Sequence, residues 1–294
     1  MKWEATAVGE LALGVAARRA RGRVTRIFRN SAYLMSGTRL VLLINGGPRS
    51  PMSVNVRGSG DMREALRTGE RFESGPRGLA FGDLEVCLSR AAVHRSGLKT
   101  TLRVEPVGPA ALARAASSLK LLYSVSDHGQ QLVESEQFRR FVNEVIVPLS
   151  KGVLGPAHSP RSFLGILGLG AGFTPAGDDF VAGFLASFNH AAASIGTSRI
   201  KLPIRVLRNR TVSESALLVD YAQNGYADEG LERLILAGLG NRPREFLRET
   251  IELAKRGHTS GLDMAEGVVF AAAAIGDLLG RTGASIEAIY ALAQ

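Results

Sequence analysis

Apolar positions along the first third of the chain repeat every second residue, the period of half-buried strands. Arg23–Phe28 alternates and ends at the turn signal Asn30-Ser31. Ala32–Met35 and Arg39–Ile44 follow, separated by Ser36-Gly37, and Asn45–Pro48 (NGGP) marks a tight turn. Met52–Val56, Leu79–Leu88 and Leu102–Val107 complete the set. Asp61–Arg67 interrupts it as one short helix, with Asp61 placed to cap it. Short strands with turns between them predict a small barrel or sandwich. Beyond Pro106–Pro109 the period changes to that of helices. Helices are expected over Ala110–Tyr123, Gln130–Val147, Pro175–Ala193, Val212–Asn224, Asp228–Leu236, Pro243–Arg256, Gly261–Leu279 and Ser285–Ala293. The predicted class is α+β: a β-rich domain over 1–108, then a mainly helical domain over 109–294.

Composition narrows the function classes. A chain of 294 residues, 45% hydrophobic, is long enough for two domains with cores of their own. The N-terminus lacks the unbroken apolar run of a secretory signal. The most apolar stretch, Gly267–Leu279, is too short to span a bilayer and contains Asp277. The single cysteine, Cys87, excludes an internal disulfide and a cysteine-cluster metal site, and its place in an apolar run predicts a buried side chain. These features predict a cytoplasmic protein with no membrane association.

The net charge of +9 is unevenly placed. Residues 1–108 hold 18 Lys and Arg against 9 Asp and Glu, whereas 109–294 hold 18 of each. A basic domain recruits an anionic substrate, an acidic partner or nucleic acid, or simply keeps its arginines solvated. Trp3, Phe28, Tyr33, Phe72 and Phe81 are scattered rather than clustered as stacking platforms, which argues against nucleic acid.

The candidate chemistry lies in Gly165–Gly183, GILGLGAGFTPAGDDFVAG. Gly165, Gly168, Gly170 and Gly172 bring backbone close to a ligand, and Thr174-Pro175 reads as an N-cap followed by the first helical residue. A helix start of this kind offers N–H groups and a positive dipole end to a phosphate or carboxylate. The predicted anion cradle is Gly168, Gly170, Gly172, Thr174 and Gly177. Asp178 and Asp179 follow in the first turns. They could favour the dipole, hold a hard cation such as Mg²⁺, or orient an amide or amine. The glycine spacing and the absence of a Gly-Lys-Ser/Thr sequence argue against dinucleotide and P-loop motifs.

A second turn, Gly257–Gly267 (GHTSGLDMAEG), resembles the first. Ser260-x-x-Asp263 reads as a capping-box-like start. Asp179 precedes Gly183 by four residues and Asp263 precedes Gly267 by four, so each pair shares a helix face. The two helix starts are expected to face each other, with His258, Ser260, Gly261 and Asp263 supplying the second wall. His258 could act on an anion, as an acid or base, or as a partner of the dipole. Thr211 and Ser213 are a possible third contributor of hydroxyls.

At these residues the sequence resembles the AllH-like family. The family pattern G-x-G-x-G-x-T-P-x-G-D-D-F-x-x-G falls on Gly168–Gly183, and G-H-[ST]-S-G-x-D falls on Gly257–Asp263. Thr211–Leu218 is similar to a third stretch, and Gly22–Val24 and Gly46–Pro48 to N-terminal ones. Ala176 stands where the family often has Ser. The resemblance implies a place in purine or allantoin catabolism, as a subunit of an oxamate carbamoyltransferase that handles oxalurate, oxamate and carbamoyl phosphate. On that reading Asp178, Asp179 and His258 are catalytic, Asp178 and Asp179 are also the residues expected to hold a metal such as Mg²⁺, and other protein subunits are partners. A non-catalytic metabolite-binding or scaffold subunit is the alternative.

Overall fold

The computed structural model describes the chain apart from residues 59, 100–102, 126–131, 154–161, 171, 258, 281–285 and 294, and apart from the side chains of residues 99 and 287. The described chain divides into two compact units, Met1–Gly97 and Leu98–Gln294.

The first unit contains β1 (Lys2–Gly9), α1 (Glu10–Ala16), β2 (Arg21–Ile27), β3 (Ser31–Ser36), β4 (Arg39–Asn45), β5 (Ser53–Val56), α2 (Met62–Ala65), β6 (Arg71–Gly75), β7 (Gly78–Phe81), β8 (Leu84–Cys87) and β9 (Ala92–His94). The strand order is β5-β4-β3-β2-β6-β7-β8-β1, and β1 also pairs with β5. That last pairing closes an eight-stranded barrel, and β9 adds to β1 in parallel. Alternation sends Trp3, Leu34, Phe72 and Val86 into the core. Phe72 and Phe81 pack with ring centroids 5.6 Å apart. Each buried aromatic of this kind contributes about 1.5–3 kcal/mol. A register shift in β1 between Ala5 and Ala7 marks an irregularity where one strand serves several neighbours. Asp61 caps α2 as expected, accepting from the Arg63 N–H.

Three local expectations change. The run Leu79–Leu88 is a hairpin, β7 and β8, because Gly82 takes a left-handed φ of 48° inside it. Among the described residues 103–107 there is no strand. Glu105 makes one isolated bridge to Gly240, while Val104 and Val107 pack into the helical core. Cys87 is half-buried rather than buried, with Sγ 3.1 Å from Ser89 Oγ. β1, β6, β9 and α1 are further elements that the alternation did not mark.

The second unit contains α3 (Pro109–Ser124), α4 (Glu136–Phe141), α5 (Val147–Ser150), α6 (Ala176–Ala191), α7 (Ile204–Arg208), α8 (Ser213–Gln223), α9 (Glu229–Leu239), α10 (Pro243–Ala254), α11 (Ser260–Leu278) and α12 (Ile286–Ala293). A π-helical turn, Val142–Ile146, joins α4 to α5 just before Pro148, which has no N–H to donate to the helix ladder. α6 runs through the middle, and every residue from Gly177 to Ala191 is buried. Phe180 packs edge-on against Phe138 at 4.9 Å and against Phe270 of α11 at 5.6 Å. Among the described residues no helix is long and apolar enough to cross a membrane.

Candidate functional site at two helix starts

The glycine loop is held at its base by Ile166 and Leu167, both buried. Gly168, Gly170 and Gly172 take φ of 78°, 99° and 118°, a left-handed run that residues with a Cβ resist. A Cβ on Gly168 would stand 2.3 Å from the Arg210 carbonyl oxygen. The chain then straightens at Pro175, and α6 begins at Ala176.

Pro175, not Thr174, is the N-cap, and no side chain caps the helix. The Asp178 and Asp179 N–H groups donate to the Pro175 carbonyl oxygen at 2.9 and 3.2 Å, so neither is offered to a threonine cap. The Thr174 hydroxyl points elsewhere, to Ser260 Oγ at 2.6 Å. The Gly177 N–H is also used internally, donating to the Leu169 carbonyl oxygen at 3.0 Å. A Cβ at Gly177 would meet Ile166 O at 1.8 Å, so this glycine seats the loop on the helix. The N–H groups of Gly170, Gly172, Thr174 and Ala176 make no hydrogen bond to a described residue.

The two aspartates differ sharply. Asp178 is 1% exposed, and both its oxygens are engaged. Oδ1 accepts from the Gly168 N–H at 2.8 Å, and Oδ2 from the hydroxyls of Ser215 at 2.6 Å and of Thr211. Burial raises its carboxyl above the ordinary range, while these three donors favour the charged form. Asp178 therefore clamps the glycine loop to the start of α8. Thr211 belongs to this clamp, but its second hydroxyl comes from Ser215 and not from the exposed Ser213. The sequence carried a signal for Ser215, since it lies four residues beyond Thr211, the spacing of neighbours on a helix face.

Asp179 is 2% exposed, and its Oδ2 has no hydrogen-bond partner among the described residues. Burial pushes its carboxyl well above the ordinary range, and the charges of Asp263 and Asp178 push the same way. The Ser260 and Thr174 hydroxyls lie against it and favour the charged form.

The second turn arrives from the other side. α10 ends at Ala254 with Lys255 as its C-cap, short of the expected Arg256; Gly257 follows with φ 61°, and Thr259 precedes α11 without a side-chain cap. The capping box does not form. The Asp263 N–H bonds the Thr259 carbonyl oxygen at 3.0 Å, and the Asp263 carboxylate instead accepts from the Tyr123 hydroxyl of α3. The Gly261 N–H donates to Arg256 O at 3.2 Å, and a Cβ there would stand 2.0 Å from Leu253 O, so Gly261 packs this turn on α10. One turn beyond Asp263, Glu266 is 2% exposed, and its Oε2 has no hydrogen-bond partner among the described residues. Burial, then the charge of Asp263, raises the Glu266 carboxyl well above its ordinary range. The Tyr123 phenol is raised too, first by burial and then by the charges of Glu266 and Asp263. Tyr123 lies inside a helix with no turn or motif beside it, whereas Glu266 stands within the Gly257–Gly267 stretch, three residues after Asp263, and that spacing was its signal in the sequence.

Two glycines set how closely α6 and α11 approach. A Cβ on Gly183 would meet Met264 O at 2.1 Å, and one on Gly267 would meet Phe180 O at 2.2 Å. Each glycine lies one turn after an aspartate of the site, so the close crossing brings Asp179 and Asp263 together. No described Lys or Arg forms an ion pair with Asp178, Asp179 or Glu266. Among the described residues no three His, Cys, Asp or Glu side chains converge as a metal site. His258 lies outside the described residues.

Two helix starts, one preceded by a glycine loop, thus stand over the buried carboxylates Asp178, Asp179, Asp263 and Glu266. Residues 166–272 match the family model described as oxamate carbamoyltransferase subunit AllH. Over that stretch the chain is similar to this family, whose description names a subunit of a carbamoyltransferase. No curated protein and no solved structure matches the chain.

Proposed function

We propose that this chain is a subunit of a carbamoyltransferase-like enzyme, acting on oxamate, oxalurate and carbamoyl phosphate, and that the paired helix starts bind its small anionic substrate. The N–H groups of Gly170, Gly172, Thr174 and Ala176, which make no hydrogen bond to a described residue, are the donors for a phosphate or carboxylate. The observation that carries the reading is Asp179 Oδ2, a buried acceptor with no hydrogen-bond partner among the described residues. Carbamoyl phosphate, oxamate and oxalurate each join an anionic end to an amide N–H end. The loop suits the first, and Asp179 suits the second. Thr174 and Ser260 border both. Transfer of a carbamoyl group needs positioning and charge stabilisation more than a dedicated nucleophile.

On this reading Asp178 is a clamp rather than a catalytic acid or Mg²⁺ ligand, because three donors occupy its oxygens. Gly177 and Gly261 shape the site through packing, and Asp263 holds Tyr123. That same engagement favours the second reading, a metabolite-binding subunit whose partners supply the chemistry. Titration of the full chain with carbamoyl phosphate and with oxamate tests the site. Asp179→Asn should weaken binding about tenfold, the cost of one hydrogen bond lost at a buried site. Unchanged affinity in a folded Asp179→Asn chain would sink the assignment.

A further inference from the structure

The barrel unit has a groove of its own, about 770 Å³, formed by the start of β1, the segment before β2, the β6–β7 hairpin and the end of β8. Strand alternation turns Lys2, Arg21, Glu73, Ala80, Glu85 and Cys87 outward along it. Arg19 and Arg77 complete the rim. The charges are unequal: four cations face two carboxylates, and one cation, Arg21, is already paired with Glu73 at 2.9 Å. Lys2 spends its charge on Glu4 at 3.3 Å in an exposed pair, which contributes little. Arg19 and Arg77 form no ion pair with a described residue. Arg19 also holds a left-handed φ of 49°, uncommon for a side chain of its kind, directly beside the groove. Gly75, Gly78 and Ala80 are among its lining residues, so few long side chains line it besides the charged ones.

We propose that this groove binds a small, multiply charged oxyanion, clasped by Arg19 and Arg77 with Lys2 and Arg21 in support. Its volume lies within the range of small-molecule sites, and guanidinium groups match phosphate and carboxylate oxygens in paired hydrogen bonds. The inference does not depend on the glycine-loop reading, because none of its residues belong to the helical unit.

The single cysteine supplies the readout, since Cys87 lines the groove. The rate of Cys87 alkylation is followed in the full chain with increasing pyrophosphate, and in parallel with malonate, against sodium chloride at matched ionic strength. Pyrophosphate or malonate should slow alkylation saturably, and whichever binds more tightly identifies the phosphate or carboxylate class. The double variant Arg19→Ala/Arg77→Ala, exposed at both positions, should need about tenfold or more anion for equal protection. Arg23→Ala, which removes a charge of the same barrel outside the groove, should behave as the native chain. The proposal is overturned if neither anion protects, if sodium chloride protects equally, or if Arg23→Ala loses protection as far as the double variant.

Discussion

The hydroxyls of Thr174 and Ser260 meet at 2.6 Å across 86 residues of sequence. Each belongs to a helix start, and both lie against Asp179. The contact joins the glycine loop to the second turn, so a double-mutant cycle should detect it. Thr174→Val and Ser260→Ala should each cost about 0.5–1.5 kcal/mol, the net worth of a typical hydrogen bond. Their effects should fail to add, with a coupling of at least about 0.5 kcal/mol in urea unfolding. Strict additivity would show that the two hydroxyls do not meet.

Asp178 and Asp179 are adjacent yet should respond oppositely to the same change. Asp178→Asn replaces one acceptor oxygen with an N–H₂ group, which then faces either the Gly168 N–H or the Thr211 and Ser215 hydroxyls. A loss of about 2–4 kcal/mol of stability is expected, in the range for breaking a buried hydrogen-bond network. Asp179→Asn removes a buried carboxylate that has no cationic partner, so its stability should hold or rise. Ligand affinity is the quantity that should fall. Denaturation midpoints of the two variants, compared side by side, check the contrast, and equal losses would refute it.

Much of this arrangement was readable because it is local. Four glycines, a proline and two aspartates announce a loop that becomes a helix, and the spacing of Asp179 to Gly183 and Asp263 to Gly267 announces matching faces. What could not be read was long-range. Thr174 looks like a cap in sequence, and only the arrival of Ser260 from another helix shows where its hydroxyl goes. Tyr123 pairs with Asp263 across 140 residues, and no pattern near either residue implies it. In the barrel, β3 alternates cleanly, but the closing pair is β1 with β5, a contact between strands far apart in the chain. The hairpin of β7 and β8 hid inside one apolar run because its turn is only Gly82-Asp83.

The crossing of α6 and α11 depends on two missing side chains. A methyl group added at Gly267 would stand 2.2 Å from Phe180 O and 2.8 Å from the Phe184 nitrogen, both backbone atoms of a fully buried helix. Neither can rotate away, so the helices would have to separate. Gly267→Ala should therefore destabilise the chain by about 1–3 kcal/mol or more, as overpacking does. It should also weaken anion binding by moving Asp263 away from Asp179. Gly280→Ala is a useful contrast: nothing lies within 4 Å of its added Cβ, although its φ of 61° carries a backbone strain of its own. A folded Gly267→Ala chain with native stability would mean that the crossing is looser than described.

Glu266 gives the site a pH dependence of defined sign. Its carboxyl is buried, and burial and the Asp263 charge raise it well above its ordinary value of 4.5. In the unfolded chain the group releases its proton near that ordinary value, whereas the folded chain retains the proton to higher pH. Between the two values the folded state binds more protons, so stability falls as pH rises. The contribution is complete below the unfolded value and is lost as pH climbs through the raised folded one. Asp179, raised by its own burial, acts with the same sign. Glu266→Gln keeps the shape, stays neutral at every pH and removes one of these two contributions. Relative to the native chain, the variant should gain stability as pH is raised above the ordinary value of 4.5 and level off once the raised folded value is passed, because only the native chain then has to bury a carboxylate charge or hold on to a proton. Urea unfolding of both chains across that range measures the difference. Parallel stability curves would show that Glu266 ionises in the folded state as it does in the unfolded one.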